Sequence, residues 1–169
     1  MKISSLQTAR YEYSPKLPGM LRHGIADICV KEGEETQSVA DQEKIKALFP
    51  NTYGKKEITF EKGTNTSEAK KQVVGVILSG GQAPGGHNVI CGLYDALKAT
   101  NKENVLYGFK NGPIGLIEDD YIIFDDEYIN QYRNTGGFDI IGSGRTKLET
   151  NEQFAIVAEV CKNMESQLS

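Results

Sequence analysis

Within residues 80–86 the chain reads Gly80-Gly81-Gln82-Ala83-Pro84-Gly85-Gly86, and His87 and Asn88 follow at once. Glycine allows backbone angles and close approaches that a Cβ would forbid, so such a loop can bring N–H groups up to an anion. Further along, Ser143-Gly144-Arg145-Thr146-Lys147 offers an arginine fork, able to hold a phosphate through two parallel bonds, and a lysine point charge. A glycine loop facing these cations would make a pocket for a polyphosphate. Lys110-Asn111-Gly112-Pro113-Ile114-Gly115-Leu116 is a further glycine-bearing loop and a third wall for it. The plain alternative is a tight strand-to-helix connection with no ligand, beside a solvated basic pair.

The elements that must position these groups follow from the hydrophobic pattern. Residues 73–78 are an apolar run rich in β-branched side chains, the mark of a buried strand. Beyond the glycines, Val89, Ile90, Leu93, Tyr94 and Leu97 recur on one helical face. The loop therefore joins a strand to a helix N-terminus, where unpaired N–H groups and the positive end of the dipole converge on one point. Further strands are expected at 104–109, 121–124 and 138–142, with a short helix at 125–133. A last helix opens on the capping box Thr150-Asn151-Glu152-Gln153 and carries Phe154, Val157, Ala158, Cys161 and Met164 at helical spacing. This alternation predicts an α/β fold, a Rossmann-like, mainly parallel sheet with flanking helices and right-handed crossovers. Ligands of such sheets bind beyond the carboxyl ends of the strands, the edge from which loops 80–86, 110–116 and 143–147 all leave.

Residues 1–71 differ in character. Pro15, Pro18-Gly19, Pro50-Asn51 and Gly54 break them into short helical patterns, one of them at 41–49 and ended by Pro50. Leu6, Tyr11, Tyr13, Leu17 and Leu21 are anchors for packing on a neighbouring surface. Residues 62–71 are polar and read as the connection into the first core strand. The expected division is an irregular helical extension over 1–71 and a phosphate-binding lobe over 72–169.

Several function classes fall away. The loop lacks the Gly-Lys-Ser/Thr ending of a P-loop, so no lysine or hydroxyl reaches a nucleotide's phosphates or Mg²⁺ from it. A dinucleotide fingerprint wants an acid at the end of the next strand, which here runs into Gly108-Phe109-Lys110. With a formal net charge of −4 and no lysine–arginine stripe, no nucleic-acid surface is expected. No apolar run approaches the ~20 residues that cross a bilayer, so no membrane partner is expected either. Cys29, Cys91 and Cys161 lack Cys-x-x-Cys spacing and suit buried thiols of a reducing cytosol. His23 and His87 are too few for a histidine metal site. Asp95, Glu118, Asp119, Asp120, Asp125, Asp126, Glu127, Asp139 and Glu149 sit in helix or turn contexts, and none is marked as a general base or Mg²⁺ ligand. The residues thus argue for phosphate binding without a complete reaction.

Residues 80–88, Gly108 through Leu116, Asn134-Thr135-Gly136-Gly137-Phe138-Asp139 and Ser143 through Thr150, in this order, resemble the long, pyrophosphate-dependent phosphofructokinases. The extension fits as well, in Tyr13-Ser14-Pro15-Lys16-Leu17-Pro18 and Pro50-Asn51-Thr52-Tyr53-Gly54. The resemblance implies reversible phosphoryl transfer between pyrophosphate and the 1-hydroxyl of fructose 6-phosphate. It also implies Mg²⁺, a cytoplasmic glycolytic setting and a homo-oligomer, a dimer. Gly80, Gly81 and Arg145 match diphosphate-binding positions, with Lys147 beside them, and Gln82 stands where ATP-using relatives commonly carry aspartate. The family's Gly-Gly-Asp and Thr-Ile-Asp motifs, which supply the Mg²⁺ ligand and the base, do not occur in this sequence. No catalytic residue or metal ligand is therefore expected in the chain, which the resemblance makes an N-terminal portion, inactive alone. A different class stays open: a non-catalytic phosphate-binding module that docks on a complete subunit.

Overall fold

The computed structural model describes residues 3–63 and 70–166. Most of the polar connection expected at 62–71, and residues 167–169, lie outside the described residues. The chain divides into two compact units, one made of residues 3–15 with 70–166, the other of residues 16–63.

The chain enters the first unit through helix α1 (Ser5–Glu12), capped by Ser4, whose Oγ accepts the Gln7 N–H at 3.2 Å. The side-chain amide of Asn134 donates to the carbonyls of Arg10 and Tyr13, at 3.0 and 2.9 Å, and ties this segment to the rest of its unit.

The second unit holds two 3₁₀ turns (Gly19–His23 and Ile25–Asp27), strand β1 (Ile28–Glu35), helix α2 (Gln42–Leu48) and strand β2 (Lys56–Lys62). Helix α2 lies where the sequence pattern puts it. The strands are a departure from the irregular helical expectation. They pair antiparallel, with Val30 opposite Phe60 and Glu32 opposite Ile58. Their charged residues pair across the ribbon, Lys31 with Glu61 at 2.9 Å and Lys56 with Glu32 at 2.7 Å. Such side chains mask a strand signal, because the partner that satisfies them is distant in sequence.

The first unit resumes with β3 (Val73–Val76), α3 (Gly86–Thr100), β4 (Val105–Phe109), α4 (Pro113–Glu118), β5 (Tyr121–Ile123), α5 (Asp126–Tyr132) and α6 (Asn151–Ser166). The sheet order is β3-β4-β5, with β3 and β4 parallel in the register Val73–Val105. β5 runs antiparallel to β4, so the sheet is mixed where a mainly parallel one was expected. Alternation along β4 feeds two cores. Leu106 packs with Ile90, Cys91 and Tyr94 of α3 and with Phe124, Ile129, Ile140 and Ile141. Tyr107 and Phe109 point the other way, onto Val160 and Met164 of α6. The expected capping box forms: Thr150 Oγ1 accepts from Gln153 N–H at 3.2 Å, and Gln153 Oε1 accepts from Thr150 N–H at 3.1 Å.

Two local expectations are corrected. Loop 110–116 is half helix, because Pro113 occupies the first helical position, where its missing N–H costs nothing. Residues 138–142 form no strand. The Ile140 N–H goes to His87 Nε2, the Ile140 carbonyl to the Tyr128 hydroxyl, and the Ile141 carbonyl to the Asn111 N–H. Their backbone groups are satisfied one by one rather than by a ladder.

Candidate anion site

Past the end of β3, Ser79 and Gly144 form a parallel bridge. Gly144 N–H donates to Leu78 C=O at 3.3 Å, and Gly80 N–H donates to Gly144 C=O at 2.9 Å. Residues 143–145 therefore lie directly beside the start of the glycine loop. The third loop closes from the other side. Asn111 N–H reaches Ile141 C=O at 2.8 Å, and a Cβ on Gly112 would stand 2.6 Å from Gly144 N. A Cβ on Gly144 would overlap the Asn111 carbonyl, so this crossing of two backbones admits only glycine there. The three loops expected at one sheet edge do meet.

The side chain that this crossing delivers is Arg145. A Cβ on Gly81 would lie 2.9 Å from Arg145 Nη2, so the guanidinium rests over the bare Cα of that glycine. Among the described residues no carboxylate lies within ion-pair distance of Arg145, whereas Lys110 is neutralised by Asp120 at 2.6 Å. Lys147 is exposed, 3.9 Å from Glu149 Oε1. The space beside Gly80 is open, with no atom within 4 Å of where a Cβ would stand.

The expectation of unpaired N–H groups holds for part of the loop only. Gly80 N–H is engaged by Gly144, Gly85 N–H by Gly136 C=O at 2.9 Å, and His87 N–H by Gly137 C=O at 3.0 Å. The turn at 134–140 thus takes donors that helix geometry alone would leave to a ligand. Among the described residues the N–H groups of Gly81, Gln82 and Ala83 take no protein partner. Asn111, Gly112 and Gly144, which build the crossing, carry no sequence signal of their own beyond being small or turn-forming.

A separate groove of about 840 Å³ runs between α3, α5 and residues 11–15, and includes none of Gly80, Gly81 and Arg145. Its floor is the fork of Arg133 on Asp95, two bonds of 2.7 Å each. Beside it, burial and then the hydrogen bond to Asp126 push the Tyr94 hydroxyl up to about 12. Among the described residues no three side chains of His, Cys, Asp or Glu group to hold a metal ion, and no helix is long and apolar enough to cross a membrane.

Comparison with known proteins gives this geometry a context. The chain is 50% identical over 165 residues to pyrophosphate–fructose 6-phosphate 1-phosphotransferase of Porphyromonas gingivalis, covering 98% of this chain and 30% of that one. It is 43% identical over 173 residues to the enzyme of the same name from Treponema pallidum (strain Nichols), covering 97% of this chain and 30% of the relative. Against the alpha subunit of the corresponding Solanum tuberosum protein the identity is 34% over 168 residues, with 95% and 27% covered. No family model matches the chain. The chain thus spans about 30% of the length of these curated relatives, and nearly all of it takes part in the similarity.

Proposed function

We infer that this chain is the pyrophosphate-binding, N-terminal part of a pyrophosphate-dependent phosphofructokinase, an enzyme that moves a phosphoryl group reversibly between pyrophosphate and the 1-hydroxyl of fructose 6-phosphate. The observation that carries this reading is Arg145 held over Gly81, at the mouth of the glycine loop, in a chain half identical to a relative of that name. Phosphoryl transfer depends on positioning and on neutralising charge on the phosphate oxygens, and this arrangement supplies both. The guanidinium can take two phosphate oxygens in parallel. The N–H groups of Gly81, Gln82 and Ala83 would take others, with the open side of Gly80 allowing the ligand's approach. Lys147, on the same loop, adds a mobile charge nearby. Among the described residues no side chains group to hold Mg²⁺. Glycolysis, a cytoplasmic setting and a dimeric assembly belong to the same proposal.

Isothermal titration of the chain with pyrophosphate tests the reading. Binding is expected, and Arg145→Ala should weaken it by about one to two decades, the worth of a charge-assisted contact of roughly 1.5–3 kcal/mol. Equal binding by a folded Arg145→Ala variant, or none by either protein, would defeat it. The chain by itself is expected to bind without turnover, because among the described residues no carboxylate stands with Arg145 to serve as base. Formation of fructose 1,6-bisphosphate by purified chain, free of host enzyme, would contradict that expectation.

A further inference from the structure

His87 is 3% exposed and stands at the start of α3, immediately behind Gly85 and Gly86. Its Nδ1 lies 2.5 Å from Thr135 Oγ1, and its Nε2 accepts the Ile140 N–H at 3.1 Å. The ring meets Tyr132 edge-on at 4.9 Å and covers Gly137, where a Cβ would stand 2.5 Å from Cε1. The neighbours select the tautomer. Thr135 Oγ1 gives its own proton to the Tyr132 carbonyl at 2.6 Å, which leaves its lone pairs for a proton on Nδ1. Asp139 Oδ1, 2.9 Å from Nε2, makes a rival claim, since it would need a proton on the nitrogen that accepts from Ile140. One nitrogen cannot do both. The Ile140 amide belongs to a residue that is 3% exposed and would be orphaned, whereas the Asp139 side chain is 86% exposed and keeps water as a partner. These bonds select the tautomer with the proton on Nδ1.

We propose that His87 is a positioning residue that fixes both walls of the anion pocket at once, an inference that takes its ligand, pyrophosphate, from the function proposed above. One wall is the glycine loop, whose last residues precede His87 directly and are held by Gly85 N–H and His87 N–H on the carbonyls of Gly136 and Gly137. The other is the segment that the imidazole grips at Thr135 and Ile140. That segment passes through buried Ile140 and Ile141 and then, within a few residues, delivers Gly144 to its bridge with Ser79 and Arg145 to Gly81. Release of Ile140 would let Gly142 through Arg145 slide against the glycine loop. A displacement on the order of 1 Å is enough to spoil two-point contact with a phosphate. Both ring nitrogens are engaged by this one segment.

Three measurements on the 169-residue chain test the proposal. The ¹⁵N signature of the His87 ring should show the proton on Nδ1, and a proton on Nε2 alone would overturn it. His87→Asn keeps a donor for Thr135 but offers nothing to the Ile140 N–H, while the Oε1 of His87→Gln can take the place of Nε2. Pyrophosphate binding should weaken by about fivefold in His87→Asn and stay near wild type in His87→Gln, the effect of one neutral hydrogen bond. Hydrogen exchange at the Gly80 and Gly144 amides should speed up in His87→Asn alone. Wild-type affinity and wild-type protection of those amides in His87→Asn would refute the positioning role. Should wild-type chain fail to bind pyrophosphate, the donor-site reading falls, and the exchange rates still decide whether His87 holds the two loops together. If His87→Asn does not fold, Thr135→Val removes the acceptor for Nδ1–H instead, and unchanged exchange in that variant overturns the proposal.

Discussion

Gly81→Ala separates binding from folding more cleanly than removal of Arg145. Gly81 does not occupy the left-handed region, so alanine fits its backbone. Restricting the unfolded chain should then stabilise the fold by about 0.4–1 kcal/mol if nothing else changes. The new methyl, however, would stand 2.9 Å from Arg145 Nη2, the far end of a flexible side chain. Ordinary carbon contacts lie at about 3.5–4 Å, so the guanidinium must retreat by roughly 0.5–1 Å. That movement costs the fold little, because the arginine is exposed, but it breaks the alignment of a charge-assisted bond of roughly 1.5–3 kcal/mol. Pyrophosphate affinity should fall by about ten- to a hundredfold while the melting temperature holds or rises. Gly80→Ala should lose both, because its methyl would fill the side left open for the ligand. No atom lies within 4 Å of its new methyl, but its φ of +114° strains any side chain and costs stability of order 1–3 kcal/mol. Calorimetric titration and thermal melts of both variants read the two quantities separately. Wild-type affinity in Gly81→Ala, or a loss that merely follows a lowered melting temperature, would show that Arg145 does not face the ligand from above Gly81.

Gly144→Ala would overlap the Asn111 carbonyl, a rigid neighbour, and should both destabilise the chain by at least 1–3 kcal/mol and abolish pyrophosphate binding, as melts and titration will show. Gly108→Ala places a methyl 2.5 Å from Phe124 Cζ and 2.7 Å from Ile141 Cγ2, so a loss of about 1–3 kcal/mol in denaturant unfolding is expected. Tyr94 and Tyr128, both pushed up to about 12 chiefly by burial, stay neutral in the folded chain where an unfolded tyrosine ionises near 10. Their stabilisation is complete below pH ~10 and is lost as the pH rises toward about 12, so a phenolate absorbance step for them near pH 10 in folded protein would contradict the packing.

What could be read from the sequence was what depends on neighbours in the sequence. The helical stripe of Ile90, Leu93, Tyr94 and Leu97, the apolar run at β3 and β4, and the capping box of Thr150 and Gln153 all carry their reason within a few residues. Pro113 was legible as punctuation but ambiguous in meaning, since the same residue breaks a helix in its interior and opens one at its first position. The apolar pair Ile140-Ile141 marks burial correctly and strand wrongly. Its hydrogen-bond partners are His87, Tyr128 and Asn111, none of them adjacent in sequence. The ribbon of β1 and β2 was hidden because its charges are compensated only across the pair. Within the site, the types and order of Gly80, Gly81 and Arg145 pointed to an anion. The approach of Gly112 and Gly144 did not, because two backbones in contact leave no trace in side-chain identity.

The two bonds from Asn134 to the carbonyls of Arg10 and Tyr13 have a topological consequence. Because the chain visits the first unit before and after residues 16–63, the second unit is an insertion with two exits and not a tail with one. A single nick at either crossing leaves no part of it free. After a cut at the first crossing, only residues 3–15 lose their covalent continuity. After a cut at the second, residues 3–15, held by Asn134, still tie the severed N-terminal piece to the first unit. Residues 10–13 thus work as a clasp that outlasts the loss of either peptide link.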